Sequence, residues 1–286
     1  MNEKYIYETL QNLAKNNEKY AEFNAKIVAT QQKVLGVRLP DLRNFAKNLA
    51  RNINEFSDAK NLLKVVNDEI YEEVLICGLT IFYAQNLSAD EKILLTREYL
   101  KKVDNWAQID TFVRSLKKEK FKKKSGENIA EIYEKYWNFA LENLHSDKEF
   151  FMRYGIMILF SNFLIEDKIR EVFDEIRKIS VLKSTQNLHK NSTKNIENYY
   201  VKMAAAWLYA EAAVNFFELT FGEMNNSKID IWTRRKALTK MLESYRISSE
   251  NKRIIREFRD QLSTKKSLEK SIKFDKEAQK NGAKNV

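Results

Sequence analysis

Four residues have types and positions suited to chemistry: Trp106, Asp110, Arg153 and Trp207. In "VDNWAQIDTFV" (103–113), Trp106 and Asp110 stand four residues apart in what reads as a helix. One turn of spacing puts an indole and a carboxylate side by side on one face. A carboxylate there can oppose a developing positive charge or orient water, and an indole face favours a cation. By spacing alone the pair reads first as a half-buried tryptophan beside a solvated carboxylate. In "FFMRYGIMILF" (150–160) Arg153 is the only charge. A buried arginine is costly without a partner, so it must reach a carboxylate, a phosphate or water. "YYVKMAAAWLYAEAAVNFFEL" (199–219) is apolar nearly all round. At about 100° per residue, Glu211 and Glu218 fall within roughly 40° of Trp207. Trp207 thus shares a narrow polar stripe, and either completes the core or faces a groove. The basic runs "KKEKFKKK" (117–124), with Arg114 before it, and "WTRRKALTK" (232–240) read as solvated helix ends or as tracks for a phosphate backbone. In these runs Lys117, Lys118, Arg234 and Arg235 are the candidate contacts.

The elements that must position these residues are helical. The 286-residue chain has one proline and six glycines, and many-stranded sheets need many turns. An all-α protein is expected. Amphipathic periodicity predicts helices over 2–15, 18–32, 40–53, 57–66, 69–85, 89–102, 105–117, 126–143, 147–164, 167–179, 196–221, 229–245 and 249–262. Ser88-x-x-Glu91 and Ser146-x-x-Glu149 match capping boxes. Pro40 suits a first helical turn. Such a run of helices suggests paired stacking, as in a HEAT-like solenoid, with an irregular bundle as the competing architecture. Residues 181–195, extending to 198, read as a long polar loop. Residues 263–286 lose apolar periodicity and read as a charged helix or tail, after a single domain over 1–262.

Several function classes lose support. Cys77 is the lone cysteine, so no internal disulfide can form, and a reducing cytoplasm fits. The N-terminal residues lack the pattern of a signal peptide, and no apolar stretch reaches membrane-span length. His145, His189 and Cys77 give no metal-ligand spacing, so no metal is expected. No GxGxxG or GxxxxGK[ST] supports a nucleotide cofactor, and none is expected. The net charge is +10, which favours nucleic acid or an anionic membrane as partner. Residues 246–286 carry 12 basic and 6 acidic side chains, so the first 245 residues are only mildly basic.

Five blocks in order resemble the DNA alkylation repair family of the AlkD type, the HEAT-like DNA glycosylases. They are "KVLGVRLPDLRNFAK" (33–47), "VDNWAQIDTFV" (103–113), "SDKEFFMRYGIMIL" (146–159), "YYVKMAAAWLYAEAA" (199–213) and "TRRKALTKMLESYRIS" (233–248). The resemblance implies an α-α superhelix holding duplex DNA in a concave face. It implies a monomeric enzyme that hydrolyses the N-glycosidic bond of N3- and N7-alkylated purines without flipping the base. It makes Asp110 the catalytic carboxylate, Trp106 and Trp207 the tryptophans packed on the lesioned nucleotide's sugar, and Arg153 a phosphate holder. Ala210 departs from the family, which has an arginine there. The family also holds members that bind unusual DNA without excising a base. A non-catalytic DNA binder and a protein-binding helical scaffold therefore stand as alternatives.

Overall fold

The computed structural model describes residues 2–119, 126–179, 182, 198–226 and 228–261. Among the described residues the regular elements are helices, and there is no strand. The helices are α1 (Glu3–Leu13), α2 (Glu18–Val28), α3 (Leu39–Ala50), α4 (Phe56–Val65), α5 (Tyr71–Tyr83), α6 (Ala89–Leu100), α7 (Trp106–Glu119), α8 (Ile129–Leu144), α9 (Glu149–Asn162), α10 (Ile169–Lys178), α11 (Tyr199–Asn215), α12 (Phe217–Met224) and α13 (Ile231–Glu243). A further helix, α14, runs over 249–261. An isolated parallel bridge joins Lys33 to Ile70. The loop expected over 181–198 falls almost wholly outside the described residues, and the tail over 263–286 falls outside entirely.

The helix starts show why local sequence chose these elements. Ser88 closes a capping box with Glu91 at the head of α6, satisfying two orphan amides. Pro40 sits in the first turn of α3, where a missing N–H costs nothing. The Ser146–Glu149 box does not form. Lys148 is the N-cap of α9 and makes no side-chain cap bond; the Glu149 carboxylate accepts from the Tyr200 N–H at 2.8 Å instead.

The helix expected over 196–221 is two helices, broken at Phe216 (φ −130°, ψ 51°). Beyond the break, Phe217 stacks on Phe221 at 5.5 Å and Phe221 meets Phe258 of α14 edge-on at 5.2 Å. This aromatic packing outweighs helix continuity. Glu218 therefore lies on α12, not on the stripe of Trp207, and the phasing that joined them does not apply.

The chain falls into two compact units. The first holds the described residues through Ile179 together with 198–204; the second holds Leu182 and 205–261. In the first unit α3, α5, α7 and α9 are successive neighbours in one layer, and α4, α6 and α8 are successive neighbours in another. Contacts α4·α5, α5·α6 and α8·α9 tie the layers. Two layers of alternating helices, each touching the next-but-one, is the arrangement of a helical-repeat solenoid. α9 approaches α8 closely at Gly155, where an added Cβ would meet the Ala140 carbonyl oxygen at 2.6 Å and the Leu144 amide nitrogen at 2.6 Å. Ion pairs cross the second layer from α6 to α8, Arg97 with Glu142 and Lys135 with Asp90.

In the second unit Ala237, Leu238 and Met241 of α13 and Ile255 of α14 are buried, as are Leu208, Tyr209, Ala212 and Ala213 of α11.

Candidate active site

The site is built on α7 and α9, neighbours in the first layer. Ile109, Phe112, Val113 and Leu116 of α7 are buried, the face that apolar spacing predicts. Phe112 lies 5.1 Å from the ring of Tyr99 and stacks at 6.2 Å on Tyr154 of α9. This packing sets α7 against α9 and brings Asp110 to Arg153. The Asp110 side chain is only 8 % exposed and that of Arg153 2 %. Arg153 donates from Nε to Asp110 Oδ1 at 3.0 Å and from Nη2 to Oδ2 at 2.8 Å. Its Nη1 donates to the Tyr200 carbonyl at 2.7 Å.

Asp110 is therefore a buried, fork-gripped carboxylate, not a solvated one. Of the partners that a buried Arg153 required, it has found the carboxylate. The phosphate-holding role drawn for Arg153 does not fit this arrangement, because three of its donors are occupied and its surface is closed.

The first turn of α7 is pinned from three sides. Asn105, itself buried, accepts from the Ala107 and Gln108 amides at 3.0 and 3.1 Å, an N-cap that spacing did not single out. Asp104 accepts from the Thr30 hydroxyl at 2.7 Å and the Gln31 amide at 2.8 Å. Buried Gln108 donates to Gln32 Oε1 at 2.6 Å. Trp106, half-buried, donates its indole N–H to the Ile27 carbonyl at 3.3 Å, at the end of α2. The 29–38 segment thus fixes the turn that carries Trp106 and Asp110.

That segment is held in turn by Glu72 of α5. Its carboxylate accepts from the amides of Leu35 (2.9 Å), Gly36 (2.8 Å) and Val37 (3.3 Å). Gly36 has φ 95°, a conformation glycine takes without strain. Burial pushes the Glu72 carboxyl above its ordinary value, although the three N–H groups pull the other way.

Glu149 is a further residue that sequence reasoning missed. It stands one turn before Arg153 on α9, and the two hold the amide and the carbonyl of Tyr200. The Tyr200 ring packs on Phe150 at 5.6 Å. The i, i+4 pairing of an acid and a base on α9 was visible, but its target, 51 residues after Glu149 and 47 after Arg153, was not.

The other candidates are placed as follows. Arg114 is exposed on α7, one turn beyond Asp110. Lys117 and Lys118 belong to the last turn of α7, and their side chains lie outside the described residues. Trp207, Arg234 and Arg235 belong to the second unit and are half-buried there. Arg234 donates to the Met224 carbonyl at 3.3 Å, and burial lowers its ordinarily high pKa. Ala210, where the family has arginine, is buried. One turn after Trp207, Glu211 is gripped by both terminal nitrogens of Arg246, one of them at 2.9 Å. Two cavities, of about 550 and 240 Å³, are lined by residues such as Glu3, Lys33 and Glu73, and by Tyr5 and Asn61; neither borders Asp110 or Arg153. Among the described residues no cluster of three acidic, histidine or cysteine side chains is placed to hold a metal, and no helix is long and apolar enough to cross a membrane.

Residues 6–178 match the DNA alkylation repair enzyme family. The chain belongs to that family. The match runs from α1 to the end of α10, so it contains Trp106, Asp110 and Arg153 and ends before Trp207, Arg234 and Arg235. No curated protein and no solved structure matches the chain. Membership places the protein among enzymes of DNA alkylation repair, and DNA is the substrate the family name carries.

Proposed function

We propose that this member is a monofunctional DNA glycosylase that hydrolyses the N-glycosidic bond of N3- and N7-alkylated purines in duplex DNA. The observation that carries the reading is the buried Asp110 carboxylate, held by two bonds from Arg153, with half-buried Trp106 one turn before it. An alkylated purine already bears a positive charge, so it leaves without protonation by an acid. The group bonded to Asp110 suits such a substrate, since an arginine does not give up a proton. As the bond breaks, positive charge develops on the deoxyribose. A preorganised carboxylate opposes that charge and orients the attacking water at no reorganisation cost. The Trp106 face favours the same cation and keeps bulk water away.

In this reading Arg153 sets the carboxylate's direction, and phosphates are met by outward cations, Arg114 first among them. Lys117, Lys118, Arg234 and Arg235 are further candidate phosphate contacts, each taken within its own unit, and Trp207 is the candidate for packing on the sugar. The enzyme acts as a monomer in the cytoplasm and uses no cofactor. Single-turnover release of 7-methylguanine from methylated duplex tests the proposal; purified protein that releases no alkylated base at saturating concentration overturns it.

One observation favours a second reading. The Arg153 fork offsets much of the Asp110 charge, as suits a structural ion pair in a member that binds distorted DNA without cutting it. Tight binding to branched duplexes without base release would select that reading.

A further inference from the structure

The second unit places an acid, Glu211, one turn after Trp207, and a base, Arg246, on that acid, in a way neither α7 nor α9 explains. Trp207 and Glu211 stand one turn apart on α11, on the helix's half-buried stripe. A bare carboxylate at that position would repel a DNA phosphate. It is not bare. Arg246, from the joint between α13 and α14, reaches it with Nη1 at 2.9 Å and also with Nη2. The two partners are unequal in exposure: the Glu211 side chain is 23 % exposed and that of Arg246 60 %. The carboxylate is the tucked half of the pair and the guanidinium the outward half. An exposed ion pair adds little to stability, so its geometry matters more than its energy. Two parallel bonds fix a guanidinium's plane and direction, and a guanidinium so held still has N–H groups on its Nε and its outer edges for a second acceptor. Tyr245, the neighbouring residue, is fully exposed, while Ile247 is buried, so the joint is anchored at Ile247 and turns Tyr245 and Arg246 to solvent.

We propose that Arg246, aimed by Glu211, is a clamp for a phosphate of the DNA backbone beside Trp207. This rests on the reading that duplex DNA is the partner. It adds a contact outside the basic runs, and it assigns Glu211 as the residue that positions the clamp. Chemically the ligand is a phosphodiester oxygen, met by a charge-assisted hydrogen bond from a preorientated guanidinium.

The test is equilibrium binding to an unmodified duplex across a salt series, for wild type, Arg246→Ala, Arg246→Lys, Glu211→Gln and the double variant Glu211→Gln/Arg246→Ala. Loss of one phosphate contact lowers the slope of log affinity against log salt by about 1. Arg246→Ala should show that drop, with affinity lower by roughly tenfold at low salt. Arg246→Lys keeps the charge and should keep most of the slope. The double variant should stay as weak as Arg246→Ala, because removing the acid does not replace the contact. If the double variant returns to wild-type affinity, Arg246 serves only to cancel Glu211 and the clamp is overturned. An unchanged slope in Arg246→Ala overturns it too. These results concern binding alone, so they separate from excision. A wild type that binds and excises while Arg246→Ala matches it sinks only the clamp, whereas a wild type that binds no duplex sinks the partner and the clamp together.

Discussion

Arg153 grips both oxygens of Asp110, at 3.0 and 2.8 Å, across the α7–α9 contact, with each side chain almost wholly out of water. The pair makes the carboxylate directional. An aspartate on a helix rim rotates freely about its side-chain bonds; this one does not. The same guanidinium reaches the Tyr200 carbonyl, so the first turn of α11 is registered to the carboxylate.

Arg153 variants should separate charge from geometry. Arg153→Ala leaves a buried carboxylate without its partner, a change that costs about 3–5 kcal/mol of stability. Arg153→Lys keeps the charge but cannot make two parallel bonds, so it should fold and excise alkylated bases slowly. Thermal unfolding and single-turnover excision, run on both variants, check this. A lysine variant with wild-type rate would show that the fork does not orient the carboxylate.

Gly155→Ala tests the packing beneath the site. The new methyl group would meet backbone of α8 at 2.6 Å, with no flexible side chain to yield. Overpacking of this kind costs about 1–3 kcal/mol. The strain falls on α9 two residues from Arg153, so excision should drop along with the melting temperature. A variant as stable as wild type would mean that α8 and α9 can separate freely.

Glu72 should be structural in effect although it is far from the chemistry in sequence. Glu72→Ala leaves three amides of the 29–38 segment without an acceptor, for a cost of about 2–4 kcal/mol. The pH dependence follows from burial raising the folded pKa above the unfolded one. The folded state then binds the proton more tightly, so this group's contribution is largest in acid and declines as pH rises from about 4 through the raised value. Glu72→Gln removes that titration. The stability of wild type relative to Glu72→Gln should therefore fall with rising pH. Denaturant titrations at several pH values measure it, and a difference that grows with pH would contradict the sign.

Much of this was legible in the sequence, for local reasons. The Trp106–Asp110 spacing placed both on one helix because a 3.6-residue period is intrinsic to the chain. Arg153 announced a missing partner by being the one charge in an apolar run. Its partner, 43 residues away, followed only from the packing of α7 on α9. Glu149 misled because a capping box is a local pattern, and a tertiary donor, the Tyr200 amide, competed for the same carboxylate. The break at Phe216 was hidden because no glycine or proline marks it, and the aromatic contact beyond it, Phe221 on Phe258, joins residues far apart in the sequence.

Asp110→Asn addresses the chemistry most directly. The amide keeps the carboxylate's shape and can still accept one bond from Arg153, so the fold should persist. It forfeits the second bond, because its NH₂ faces a donor, and the melting temperature should fall modestly for that reason. What it removes outright is the negative charge set to oppose the developing sugar cation. Losing one well-placed transition-state charge costs a few kcal/mol, on the order of 10²–10³ in rate. Binding should not weaken, since a carboxylate near phosphates opposes association, and the half-buried Trp106 one turn earlier keeps its bond to the Ile27 carbonyl. Two measurements are needed side by side: single-turnover release of 7-methylguanine, and affinity for an uncleavable duplex. A large loss of rate at unchanged affinity assigns the charge to the transition state. Equal rates in the two proteins would make Asp110 a structural partner of Arg153 and move the chemistry elsewhere.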